Sequence, residues 1–107
     1  MNRILQQHKA DFFKAMSSPM RLAMLEILAT GDASVTQLAE RVSLDTSTAS
    51  RHLSQLRTAG VVEATRQGAT LMYRLSDPRV GELLVLARSI IATQLHATTE
   101  MLADLTE

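Results

Sequence analysis

Apolar residues recur at three- and four-residue intervals along most of the chain, and short polar stretches interrupt the rhythm at a few places. Residues 3–16 carry Ile4 or Leu5, Phe12, Phe13 and Met16 on one helical face. Ser18-Pro19 marks a new start. The serine hydroxyl can cap the first turn, and proline is tolerated at the first helical position, where its missing N–H has no partner to lose. Leu22, Leu25 and Leu28 give this second helix its stripe, and Gly31 is placed to end it. Ser34 and Gln37 have the spacing of a capping box, so a short helix follows to about Arg41, with Leu38 and Val42 turned inward. The stretch 44–62, LDTSTASRHLSQLRTAGVV, reads as a further helix capped by Asp45, closed by Gly60 and buried along Ala49, Leu53 and Leu56.

Only a few residues separate the last two helices, so they must cross sharply, as in a helix-turn-helix. After Gly60 the period changes from three or four to two. Val61, Val62 and Ala64, then Thr70, Met72, Tyr73 and Leu75, predict two strands with Arg66–Ala69 at the turn. A hairpin in that place is a wing. From Asp77, as N-cap, and Pro78, at the first helical position, one long helix is predicted to about Leu105. Its apolar positions, Val80, Leu83, Leu84, Ala87, Ile90, Ile91, Leu95, Met101, Leu102 and Leu105, cover more surface than one small domain can bury, which points to a homodimer. The expected fold is mainly α with a small β-hairpin (α+β), a winged helix-turn-helix of order αααα-ββ-α. It forms a single domain over 1–107, with the helix-turn-helix at 34–60, the wing at 61–76, and dimerisation helices at 1–17 and 77–107.

Composition narrows the functional classes. The chain has 107 residues, 46% of them hydrophobic, which suits one domain with a modest core. Without cysteine it has no disulfide, thiolate ligand or thiol switch. No apolar run is long enough for a membrane span and the N-terminus lacks a signal-peptide pattern, so a soluble, cytoplasmic protein is expected. No glycine-rich phosphate loop, carboxylate pair or nucleophile with a matching base is visible, so neither an enzyme nor a cofactor is expected. Net charge is zero, which on its own disfavours nucleic acid. The charge is uneven, however. Arg51, Arg57, Arg66 and Arg74 stand against Glu63 alone in 46–76, while acids outnumber Arg79 and Arg88 in 77–107.

Three groups of side chains could carry chemistry. Thr46, Ser47, Ser50 and Arg51 lie off the buried stripe of their helix, as hydrogen-bonding groups beside a long cation suited to double-stranded DNA. Arg51 fits a guanine edge or a phosphate, Arg66 a phosphate or the neighbouring minor groove, and His52 a phosphate or a satisfied interior position. His96, Glu100 and Asp104, four apart, share one face of the last helix; doubled in a dimer, with His8 nearby, they could hold Zn(II) or Ni(II), or they form a plain polar stripe. Met16, Met20 and Met24 invite a Cu(I) reading, but Ser18-Pro19 breaks their common face and core filling accounts for them better.

The stretches KAMSSPMRLAMLEIL (14–28), TSTASRHLSQLRTAGVV (46–62) and the hairpin end YRLSD (73–77) together resemble the ArsR family of winged-helix repressors over nearly the whole chain. The resemblance implies a homodimer that represses from a two-fold-symmetric operator and responds to a ligand. Carried over by position, the DNA-binding residues would be Thr46, Ser47, Thr48, Ser50, Arg51 and His52, with Arg66 and Gln67 on the wing. The family's metal sites do not transfer. Ser34, Thr36 and Ala39 stand where arsenic sensors have cysteines, and hydroxyls cannot replace soft thiolates. Asp77 matches the acid of zinc and nickel sensors, but Arg79 and Ile90 replace the expected histidines. The effector is therefore a small organic molecule, a hard metal near His96, or none. The alternative function is a winged-helix protein-interaction module without sequence-specific DNA binding, which only the zero net charge favours.

Overall fold

The computed structural model describes residues 2–106; Met1 and Glu107, the ends of the expected domain, lie outside the described residues. The chain runs α1 (Arg3–Met16), α2 (Pro19–Leu28), β1 (Ala33–Ser34), α3 (Val35–Val42), α4 (Thr46–Thr58), β2 (Val62–Gln67), β3 (Thr70–Leu75) and α5 (Arg79–Leu105). The expected order of helices and hairpin is present, with one strand more than expected. Residues Ala33 and Ser34 pair antiparallel with Tyr73 and Met72, so the sheet has three strands in the order β1-β3-β2. A two-residue strand has no periodicity to read; only its partner some forty positions away defines it.

Local chemistry sets most boundaries. Asn2 caps α1 by accepting from Leu5 N–H at 3.1 Å, and Ser18 caps α2 by accepting from Arg21 N–H at 3.4 Å. The capping box closes as expected: Gln37 N–H donates to Ser34 Oγ at 3.2 Å, and Ser34 N–H donates to Gln37 Oε1 at 2.8 Å. Two expected boundaries shift. Helix α2 stops at Leu28, because Thr30 and Gly31 N–H turn back to the carbonyls of Ile27 and Leu28 in a tight three-residue pattern, leaving Gly31 beyond the end. Helix α5 opens at Arg79; Pro78 already has helical angles, and Asp77 caps by accepting from Arg79 N–H at 2.9 Å. The hairpin turn is tighter than expected. Arg66 and Gln67 belong to β2, and Gly68-Ala69 alone form the loop, with Gly68 at φ 64° as a type II′ turn requires.

The core lies where α2, α3 and α4 meet the sheet. Met24, Leu25, Leu38, Leu53, Leu56, Val61 and Val62 are fully enclosed, each contributing roughly 1.5–3 kcal/mol by leaving water. Met24 is thus core filling, and Met16 is buried in the same core while Met20 is exposed, so the three methionines form no common face. Leu22 of the expected α2 stripe is only partly covered.

Candidate nucleic-acid interface

The sharp crossing of α3 and α4 depends on Ser43, the only non-glycine residue with positive φ (57°) among the described residues. Leu44 N–H donates to Ala39 O at 2.9 Å and Ser43 N–H to Glu40 O at 3.3 Å, which closes α3 and redirects the chain. At the other end of α4 the same device recurs around Gly60 (φ 77°), with Val61 N–H on Leu56 O at 2.9 Å and Gly60 N–H on Arg57 O at 3.0 Å. Ser76 Oγ then donates to Gly60 O at 2.6 Å, fastening the hairpin's exit to the helix end. Helix α4 is therefore clamped at both termini, with Ala49, Leu53 and Leu56 buried beneath it.

Its outer face carries Thr46, Ser47, Ser50 and Arg51, all exposed, as the spacing predicts. Ser54 and Gln55, one turn further, continue this exposed face. They obey the same three- and four-residue spacing and could have been named from it. Thr48 is half-buried beside the face. The first turn is not a set of free hydroxyls. Asp45 Oδ1 accepts from Thr48 N–H at 2.7 Å and from Ser47 Oγ at 2.8 Å, while its Oδ2 accepts from Thr48 Oγ1 at 2.9 Å. These bonds, with the backbone N–H first, pull the Asp45 carboxyl down to about 2.

His52 has an internal partner. Its Nδ1 accepts from Arg21 Nε–H at 3.0 Å, which requires a neutral ring with its proton on Nε2. Partial burial, then the charges of Arg21 and Arg51, hold its pKa below the usual 6.5. Arg21 also donates from Nη1 to Ala15 O at 3.1 Å, so one guanidinium joins the end of α1 and the start of α2 to the middle of α4.

On the wing, side chains alternate between two faces. Val62, Ala64 and Arg66 form one row opposite Leu75, Tyr73 and Leu71, so Arg66 extends the core-facing row past the last buried residue. Gln67 points to the other face. Arg74, on that second face, is held by Glu63 at 3.0 Å. Arg51, Arg57 and Arg66 take part in no ion pair among the described residues.

Helix α5 offers different surfaces. Arg79 folds back on Asp77 with Nη2 at 2.7 Å from Oδ2, and this pairing, led by the side-chain bond, lowers the Asp77 carboxyl to about 2. That carboxylate is thereby occupied. His96 Nε2 lies 3.2 Å from Glu100 Oε1, but Asp104 is not drawn in: eight residues along a helix is about 12 Å, too far for one ion to share. No group of three or more potential ligands occurs among the described residues. Val80 alone is buried in α5, while Val85, Leu86, Ile90, Ile91, Leu95, Met101, Leu102 and Leu105 are all more than half exposed, as are Ile4, Leu5 and Phe13 of α1. No helix is long and apolar enough to cross a membrane among the described residues.

Residues 18–64 match the model of the bacterial regulatory protein arsR family. The chain is 40% identical over 102 residues to the uncharacterized HTH-type transcriptional regulator Rv0081 of Mycobacterium tuberculosis, covering 94% of this chain and 90% of that protein. The crystal structure of Rv0081 superposes with a TM-score of 0.83 at 38% identity, covering 92% of this chain and 99% of that one. A homodimeric winged helix-turn-helix DNA-binding domain, Mb0332 of Mycobacterium bovis, gives 0.82 at 31% identity, covering 88% and 87%. The biofilm growth-associated repressor of Xylella fastidiosa is 32% identical over 85 residues, which is 79% of this chain and 75% of that protein.

Proposed function

The chain belongs to the arsR family of bacterial regulatory proteins and is a DNA-binding transcriptional regulator, and from that premise we propose that it works as a cytoplasmic homodimeric repressor of a two-fold-symmetric operator. The observation that carries this reading is the exposed row Thr46, Ser47, Ser50 and Arg51 on a helix clamped at both ends. A rigid helix presenting short hydrogen-bonding groups and one long cation suits the major groove, where base edges offer donors and acceptors. Residues 34–60 form the reading unit, 61–76 the wing and the helices within 1–17 and 77–107 the dimer contact. Two-fold symmetry then sets the two α4 helices roughly 34–36 Å apart, one turn of DNA. Arg51 contacts a base edge or phosphate and Arg66 reaches the backbone beside it. His52, already bonded to Arg21 through Nδ1, has only Nε2–H left to offer a phosphate. Thr48 supports the first turn, and Gln67 contacts DNA only if the flanking duplex passes the outer wing face. Soft metals lack thiolates here, and Asp77 is committed to Arg79, so release falls to a non-thiophilic effector or to changes in protein level.

The test is enrichment of random duplex DNA by the full-length protein, followed by gel-shift titration of Arg51→Ala on the enriched site. A palindrome with half-sites one turn apart is expected, together with a loss of at least about tenfold in affinity for the variant. An unenriched pool, or an Arg51→Ala protein of undiminished affinity, would overturn the assignment.

A further inference from the structure

We propose that Asp45 fixes the hydrogen-bonding polarity of Ser47, so that this serine reads an amino-bearing base, adenine or cytosine, in each operator half-site. The inference rests on α4 being the DNA-reading helix and extends that reading to a base preference.

A serine hydroxyl is ordinarily ambiguous, since it has one proton to donate and lone pairs to accept. Here the ambiguity is removed. Asp45 Oδ1 lies 2.8 Å from Ser47 Oγ, and an ionised carboxylate can only accept, so the Ser47 proton points at Asp45. Asp45 is itself held in place, because Oδ1 also takes the Thr48 backbone N–H at 2.7 Å and Oδ2 the Thr48 hydroxyl at 2.9 Å. A hydrogen bond to a charged acceptor is roughly twice as strong as one between neutral groups, so an uncharged base edge does not win the proton away.

What Ser47 shows to the groove is therefore lone pairs. In the major groove, adenine N6 and cytosine N4 carry N–H donors, whereas guanine N7 and O6 and thymine O4 accept. An acceptor-only serine is satisfied by the first pair and faces acceptor against acceptor with the second. The carboxylate beside it adds negative charge, which works against guanine in the same direction. Ser50, one turn along the exposed face, has no comparable partner among the described residues and keeps both roles, so it carries no such polarity.

The experiment compares the base preferences of the wild-type, Ser47→Ala, Asp45→Asn and Asp45→Ser proteins, each enriched against the same random duplex pool. Asparagine and serine both remain good N-caps, and melting curves of the two variants report directly on folding. Neither can take both hydroxyl protons on a charged group. The wild type is expected to select one base-pair orientation, with its amino-bearing base on the strand that Ser47 faces, by about tenfold at one position per half-site, and Ser47→Ala to flatten that position alone. Asp45→Asn and Asp45→Ser are expected to admit the reversed base pair there, with guanine or thymine on the strand that Ser47 faces, while leaving the rest of the half-site unchanged. The inference fails if Ser47→Ala flattens no position, or if folded Asp45 variants keep the wild-type selectivity at the position that Ser47→Ala flattens. A wild-type protein that enriches no sequence would overturn the reading of α4 itself, and this inference with it. An enriched palindrome whose Ser47-dependent position is unmoved in the Asp45 variants would overturn only the inference.

Discussion

Arg21 reaches three elements at once, and the weak point of that arrangement is the ring of His52. The Nδ1 lone pair that accepts from Arg21 Nε–H exists only while the imidazole is neutral. Protonation would replace an acceptor with a donor and place a third positive charge beside Arg21 and Arg51, the charged groups that act on the ring. Because the folded pKa lies below the usual 6.5, the unfolded chain binds more protons in the interval between the two values. Stability is therefore fully present above pH 6.5 and is lost as pH falls through that interval. Asp45 and Asp77, with carboxyls lowered to about 2, titrate below this window. Melting temperature is expected to drop as pH goes from about 7.5 to 5, and His52→Asn, whose amide oxygen can take the place of Nδ1, to lose most of that drop. Melts at constant ionic strength decide it: an equal slope in both proteins would remove His52 as the cause.

At the scale of elements, the junction between α3 and α4 stores conformational strain at a known place. Ser43 sits at φ 57°, where a side chain costs about 1–2 kcal/mol, and glycine would return roughly 0.5–1 of that through its freer unfolded state. Ser43→Gly should thus stabilise the protein by about 0.5–1 kcal/mol, or roughly 2–8 °C, with an unchanged denaturant slope. Urea melts measure this; a loss of stability would mean that the serine side chain supports the turn in some further way. Elements of this kind are legible in a sequence when their cause is local. Ser18-Pro19, the Ser34–Gln37 box, Asp45 and Gly60 all act within a turn of themselves, and all lie at helix ends as their types require. Strand β1 and the Arg21–His52 bond depend on residues brought together from far apart in the chain, and nothing at either position announces them. The site falls between these cases. Its exposed face follows from helical spacing, and Ser54 and Gln55 were within reach of the same rule. The bonding of Ser47 and Thr48 to Asp45 is local too, but residue types alone do not say whether a hydroxyl faces solvent or turns back to the cap.

The molecule as a whole is longer than its core requires. A radius of gyration of 16.9 Å and extents of 61 × 41 × 22 Å exceed the roughly 13 Å radius of a compact chain of this length, because α5 runs about 40 Å and leaves the body after its first turns. Val80, Leu83, Leu84 and Ala87 lie against or toward the domain, and beyond them Ile91, Leu95, Leu102 and Leu105 continue the same stripe with nothing to cover it. With Ile4, Leu5 and Phe13 of α1, this is surface that a second copy would bury. The charge divides accordingly: among the described residues Arg51, Arg57 and Arg66 of α4 and the wing make no ion pair, while acids outnumber arginines in 77–107, so the zero net charge is the sum of a positive middle and a negative tail. If the copies are joined there, stability and DNA binding are coupled through protein concentration. The wild-type melting temperature should rise with concentration, and Ile91→Glu with Leu95→Glu should yield a monomer by analytical ultracentrifugation. That monomer holds one reading helix instead of two, so its affinity for the full operator should approach that of the wild type for an isolated half-site, at least about 100-fold weaker than the intact pair. A double variant that still sediments as a dimer would place the contact elsewhere on the molecule. A folded monomer that binds the palindrome undiminished would mean that the two helices do not act as a pair.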